Sequence, residues 1–194
     1  MIAFIFDLET TGLPSVRNTN YKNLEAYDSA RIVSVAWRLL NTETNEELNN
    51  EYYIIKPDNF SIPEESTKIH GITSEQALCE GVSLYSVIDK MRIDINKCDV
   101  IVAHNIMFDI NVLRSELYRM KRYNLISMTF QKRIFCTMIQ SIKKGIVKKF
   151  STLTKIYSLL FCDEDVCNAH NAYYDVLYCS KIYKKLLEYN NTLN

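Results

Sequence analysis

Two carboxylates close an apolar run in Phe4-Ile5-Phe6-Asp7-Leu8-Glu9-Thr10-Thr11-Gly12-Leu13. Side chains alternate along a strand, so Ala3, Ile5, Asp7 and Glu9 share one face while Phe4, Phe6 and Leu8 share the other. Both faces are apolar before the acids begin, as in a central strand covered on two sides. Neighbouring carboxylates raise one another's pKa and resist joint ionisation, which makes a divalent cation their natural stabiliser. A strand end with solvated acids is the plainer alternative, and this stretch alone does not choose between them.

Two further acids stand where a carboxylate is costly. A long amphipathic pattern runs from Phe108 to about Arg122, and Asp109 shares its stripe with Val112, Leu113, Leu117 and Met120. A final helix is predicted from Asn171 to about Tyr189, with a stripe of Ala172, Val176, Cys179, Ile182, Tyr183 and Leu186 on which Asp175 falls. An acid on a buried stripe needs a partner. His170 lies about 140° from Asp175 at helical spacing, which places it in the entering loop, leaning over the same site. Asp7, Glu9, Asp109 and Asp175 together offer enough oxygen for two hard cations, Mg²⁺ or Mn²⁺. Held roughly 3.5–4 Å apart, such ions stabilise the attacking and leaving oxygens of phosphodiester cleavage.

The elements that must carry these residues follow from pattern. Residues 14–30 are polar and aperiodic, a loop long enough to border a cleft. Residues 31–40 and 51–55 read as an antiparallel hairpin beside the first strand, with a turn over 41–50. Ser66-Thr67-Lys68-Ile69-His70-Gly71-Ile72-Thr73 reads as a short helix closed by glycine, and Thr73 or Ser74 caps the next. Helical spacing through Val82, Tyr85, Ile88 and Met91 precedes a short apolar strand over 99–103. Ile134-Phe135-Cys136-Thr137-Met138 predicts another strand, and residues 151–160 a helix capped by Ser151.

The chain's 194 residues suit one compact domain with a sizeable core. The apolar strand starts at Ile2, leaving no room for a signal or transit peptide, and no run reaches a membrane span, so a soluble intracellular protein, cytoplasmic or nuclear, is expected. Six cysteines are scattered, several in apolar segments, which suits reduced core thiols and no disulfides. Cys162, Cys167 and His170 lack a fourth ligand and finger spacing, which argues against zinc. Net charge is zero, yet between Asn111 and Lys155 Glu116 is the only acid among eleven lysines and arginines. Such a segment should present positive potential, and beside an acidic metal site it is where a polyanion could be held.

With these residues in view, the chain resembles the DEDDh group of 3′-to-5′ exonucleases, DnaQ-like relatives of the epsilon proofreading subunit. The resemblance is carried by Asp7-Leu8-Glu9-Thr10-Thr11-Gly12, by His104-Asn105 followed by Phe108-Asp109, and by His170-Asn171-Ala172 followed by Asp175. Lys68-Ile69-His70-Gly71-Ile72-Thr73 also looks like a segment common in these enzymes. The resemblance implies an α/β, ribonuclease H-like fold: a mixed five-stranded sheet with helices on both faces. It implies that Asp7, Glu9 and Asp175 hold a first metal ion, that Asp7 bridges to a second near Asp109, and that His170 is the general base. It further implies that the backbone around Thr10, Thr11 and Gly12 receives a terminal 3′ hydroxyl and that Leu13 packs against the last bases. For Thr11 the alternative is a helix cap, for Leu13 a core leucine. His104, Asn105 and Phe108 complete the expected substrate-binding set, with a satisfied strand-end histidine and a helix cap as alternatives for the first two. Cys136 departs from the aspartate that many relatives carry on the fifth strand, a position that is not a metal ligand.

The expected partner is a single-stranded nucleic-acid 3′ end, with a polymerase or a replication or repair assembly compatible with the resemblance. DNA against RNA, proofreading against trimming, and monomer against homodimer stay open. Two other classes compete. Haloacid dehalogenase-like phosphatases share an apolar strand ending in acids, but Glu9 replaces their second aspartate and their later lysine and paired acids are not found. The other is the same fold kept as a binding module without catalysis, which would hold a 3′ end yet release no nucleotide.

Overall fold

The computed structural model describes residues 1–162 and 170–189. A strand β1 (Ile2–Thr10) is bordered on one side by an antiparallel pair, β2 (Ile32–Asn41) and β3 (Glu47–Ile54). On its other side lie two short parallel strands, β4 (Val100–Ala103) and β5 (Arg133–Cys136), giving the order β3-β2-β1-β4-β5. The central place of β1 follows from its sequence, because a strand apolar on both faces is stable only between two layers. Phe4, Phe6 and Leu8 pack into one core with Trp37 of β2 and with the helices α3 (Leu84–Lys97), α4 (Ile106–Arg119) and α5 (Tyr123–Gln131). Ala3 and Ile5 enter a second core with α7 (Leu153–Leu160) and α8 (Ala172–Glu188). The mixed sheet with helices on both faces is therefore as expected.

The smaller helices α1 (Glu64–His70), α2 (Ser74–Glu80) and α6 (Thr137–Lys143) lie at the ends of strands. α1 closes on Gly71, whose φ of 78° is open to glycine, and Thr73 caps α2 by accepting the amide of Gln76. Residues 14–30 form neither helix nor strand.

Several boundaries differ from expectation. The hairpin turn is shorter than residues 41–50, because Asn49 and Asn50 pair with Leu39 and Arg38, and Asn49 also donates to the buried Asp94. Cross-strand pairing overrides the turn preference of asparagine here. α3 starts at Leu84, after Val82 forms an isolated bridge to Ile55, so Val82 and Tyr85 are exposed and the buried stripe is Val87, Ile88, Met91 and Ile95. β5 ends at Cys136, and α5 and α6 occupy a stretch read only as one strand and connecting chain. α7 is capped by Thr152, whose hydroxyl accepts the amide of Lys155; Ser151 lies one residue too early. Cys79, Cys98, Cys136, Cys162 and Cys179 are free thiols, while Cys167 lies outside the described residues.

The basic segment is less uniformly exposed than its composition suggests. Arg114 is buried with its guanidinium 3.7 Å from the centroid of Phe130 and donates to Thr129. Arg119 pairs with Asp28 and Glu116, Arg122 with Asp89, and Lys132 donates to the carbonyls of Asn96 and Cys98. The tertiary fold spends these cations as ties between elements, and exposed charge persists at Lys143, Lys148, Lys149 and Lys155.

Candidate active site

Asp7 and Glu9 leave the end of β1 on the face covered by α8, whose Ala172 and Val176 pack on Ala36, the cross-strand neighbour of Asp7. Asp109 and Asp175 each stand in the first turn of a helix, α4 and α8 respectively. The sequence stripes place both inward, and Glu9, Asp109 and Asp175 are 9, 4 and 8 % exposed. Oxygens of Asp7, Glu9 and Asp175 lie within 4.8 Å of one another. Asp109 approaches Asp7 from the α4 side, where its charge acts on Asp7 more strongly than either other acid.

The electrostatic consequence is large. Burial, then the charges of Asp109, Asp175 and Glu9, hold Asp7 well above the usual carboxylate range. Burial, then Asp175 and Asp109, push Glu9 from 4.5 to about 8. Burial lifts Asp175 to about 6 against the opposing charge of His170, and burial lifts Asp109 well above its ordinary value against backbone amides at Asp109 and Leu8. Among the described residues no lysine or arginine forms an ion pair with any of the four. A cluster of buried carboxylates with no lysine or arginine paired to it among the described residues, offering only hard oxygen donors, fits a hard divalent cation.

His170 sits before α8 with φ 64°, exposed, its amide donating to Asp175 Oδ2 at 3.2 Å. Asn171 caps α8 by accepting the amide of Tyr173. The turn after β1 is tightly tied. Thr10 Oγ1 donates to the Gly12 carbonyl, and the Thr11 hydroxyl donates to Ser29 and accepts the Arg31 amide. Ser66 of α1 donates to the Thr11 carbonyl. Thr11 thus splices the turn to the end of the long loop, and no helix begins there for it to cap. Gly12 has φ 152°, a conformation that L side chains rarely adopt, and a Cβ would also crowd the Ser29 carbonyl at 3.1 Å, so any side chain there is strained. Leu13 is exposed rather than part of the core.

His104 has both ring nitrogens engaged: Nε2 is 2.9 Å from the Ser151 carbonyl and Nδ1 is 2.9 Å from Thr137 Oγ1. A carbonyl only accepts, so Nε2 carries the proton, and burial lowers the pKa, favouring the neutral ring that accepts from Thr137. Asn105 occupies the N-cap position of α4 with φ 58° but makes no capping hydrogen bond through its side chain, and Phe108 packs half-buried against the β1 core. Sequence reasoning missed Thr137 and Cys179, which lie 3.9 Å apart behind the acids, and Ser66 beneath the turn. Ser66 opened the segment already singled out; the other two carried no signal beyond their apolar surroundings.

A model of the exonuclease family RNase_T matches residues 4–183. The chain belongs to that exonuclease family. No match was found among curated proteins. Among solved structures it is similar to Exonuclease X in complex with 5′ overhanging duplex DNA, at 20 % identity and TM-score 0.63 over 98 % of this chain and 92 % of that one. It is similar to E. coli Exonuclease I in complex with a dT13 oligonucleotide, at 16 % identity and TM-score 0.71 over 99 % of this chain but 42 % of that one. A 3′-exonuclease described in 3′-end specific recognition of histone mRNA stem-loop matches at 15 % identity and TM-score 0.68, over 96 % of this chain and 81 % of that one. These structures share the fold, a DnaQ-like, ribonuclease H-like exonuclease architecture. Membership of the exonuclease family implies divalent metal ions, and Asp7, Glu9 and Asp175 form a cluster able to bind one.

Proposed function

We propose that residues 1–194 act as a DEDDh exonuclease domain that removes nucleoside 5′-monophosphates one at a time from the 3′ end of single-stranded nucleic acid. The observation that carries this reading is the convergence of Asp7, Glu9, Asp109 and Asp175 from β1, α4 and α8 with raised pKa values and, among the described residues, no lysine or arginine paired with them. Asp7, Glu9 and Asp175 would hold one divalent cation, Mg²⁺ or Mn²⁺, and Asp109 would help to hold a second. When bound, these ions supply Lewis acidity at the scissile phosphate and neutralise its charge.

His170 is the general base. It stands at the mouth on the turn leading into Asp175, and imidazole chemistry suits taking a proton from the attacking water near neutral pH. Its exposure leaves the ring reachable by solvent water. Thr10, Thr11 and Gly12 present backbone groups to the terminal 3′ hydroxyl, and exposed Leu13 packs against the last base. Asn105 and Phe108 border the entering strand. His104, with both nitrogens engaged, shapes the wall rather than touching the strand directly. A turn that receives a terminus cannot accept an internal bond, which sets the polarity.

The test is digestion of matched DNA and RNA strands labelled at either end, with Mg²⁺, Mn²⁺ or EDTA. Stepwise loss from the 3′ end with a divalent ion is expected. Binding without release of nucleotide under every metal condition would indicate the non-catalytic module, and endonucleolytic cuts would overturn the polarity. A polymerase or a repair assembly as partner fits the same activity.

A further inference from the structure

We propose that Phe150 is a stacking platform for a base of the bound strand, a contact upstream of the cleavage site that sets how firmly the strand is held. This inference rests on the exonuclease reading above. Phe150 is 67 % exposed. Phe130, also more than half exposed, caps Arg114, whereas Phe150 makes no ring contact among the described residues. Single exposed apolar side chains are ordinary, but an exposed ring with no aromatic neighbour offers a free face on which a nucleobase can stack in a sequence-tolerant way.

The charge around it selects the occupant. Lys148 and Lys149 precede it, both exposed and without an ion-pair partner among the described residues, and no Asp or Glu occurs between Glu116 and Asp163. An aromatic ring beside two free ammonium groups complements a chain of bases and phosphates.

The fold ties the loop that carries this ring to the wall of the acid site. Val147 and Leu153 anchor the loop at both ends in the core that contains Ile5 and Cys179. The carbonyl of Ser151 accepts from His104 at 2.9 Å. In the parallel register Ile5 faces Val102, so His104 leaves β4 level with Asp7. His104 also meets Thr137, and Thr137 meets Cys179, one helical turn after Asp175. His104 thus links the loop bearing Phe150 to the strand end beside the carboxylates.

The experiment compares wild type, Phe150→Ala and Phe150→Trp on short single strands, in Mn²⁺ for turnover and in Ca²⁺ for binding by fluorescence anisotropy. Phe150→Ala is expected to raise KM and Kd by about 5- to 150-fold, the range for losing one base stack, with kcat changed far less. Phe150→Trp should restore binding. Strands with a single abasic site moved along the sequence locate the base: wild type should lose affinity at one position, and Phe150→Ala should lose nothing further there. Unchanged KM and Kd for Phe150→Ala, or an abasic penalty that persists in it, overturns the stacking while leaving the exonuclease reading intact. A wild type that cuts nothing but binds still tests Phe150 through the Ca²⁺ arm, and one that neither cuts nor binds overturns both.

Discussion

Glu9→Gln should stabilise the metal-free protein and remove its response to metal. The folded carboxyl titrates at about 8 against an ordinary 4.5, because it is buried beside Asp175 and Asp109. A group whose pKa rises on folding contributes stability that is complete below its unfolded pKa and is lost as pH climbs through the folded one. At pH 8 the unfolded chain carries this group ionised while the fold still resists ionising it. The loss accumulated between those two values is about 2–4 kcal/mol. Glutamine keeps the shape of the protonated acid and never ionises, so the penalty vanishes. For a domain of this size the gain corresponds to a rise of roughly 5–15 °C in Tm at pH 8, shrinking to a few degrees at pH 5. Thermal melts in EDTA at both pH values measure it, and repeating them with Mn²⁺ adds the second half. Wild type should gain stability from Mn²⁺, more at pH 8 than at pH 5, because binding must first displace protons. Glu9→Gln should gain little. A variant that melts at or below wild type in EDTA at pH 8 would refute the reasoning, since the carboxylate would then be stabilised by something other than an added cation.

Asp7→Ala should abolish nuclease activity with far-ultraviolet circular dichroism unchanged, and excess EDTA should silence the wild type; full activity in EDTA would sink the metal reading. His170→Ala should lower kcat by roughly 10²–10⁴-fold and flatten the acid limb of the pH–rate profile, and an unchanged profile would remove His170 from proton transfer. Replacing Lys148 and Lys149 together by Ala should raise KM and weaken its salt dependence while nearly keeping kcat, whereas wild-type behaviour at every ionic strength would mark them as a solvated face. Circular single strands should survive where linear ones of the same sequence are degraded, as an electrophoretic time course would reveal.

The site was readable in the sequence to the extent that each acid broke a regular pattern. Asp7 and Glu9 interrupt strand alternation on a buried face, while Asp109 and Asp175 sit on apolar helical stripes; all four then converge. The resemblance supplied what periodicity cannot, namely that three distant segments share one site. What stayed hidden was set by tertiary contacts. Asn49 and Asn50 read as turn until a partner strand and Asp94 recruit them, and α5 and α6 lie in stretches whose polar and apolar residues show no clean period. Arg114 and Arg119 counted as surface charge by composition, yet Phe130 and the acids that bind them lie elsewhere in the chain. For His104 the sequence left a substrate contact and a satisfied strand-end histidine side by side, because the partners of its two nitrogens, Ser151 and Thr137, lie elsewhere in the chain.

The order in which the four acids enter the chain has a consequence for synthesis. β1 carries two of them and precedes the others in the chain: its parallel neighbour β4 and the helix bearing Asp109 follow about a hundred residues later, and Asp175 arrives only with α8. Until α8 docks, Ala3 and Ile5 lack most of their covering layer and the cluster of three oxygens does not exist. A chain translated short of α8 therefore carries the exposed Lys148 and Lys149 before the acids are gathered, and the cluster forms only once α8 closes the second core. On the proposed reading, metal capture and the docking of α8 are one event, and chains truncated before α8 should show no nuclease activity.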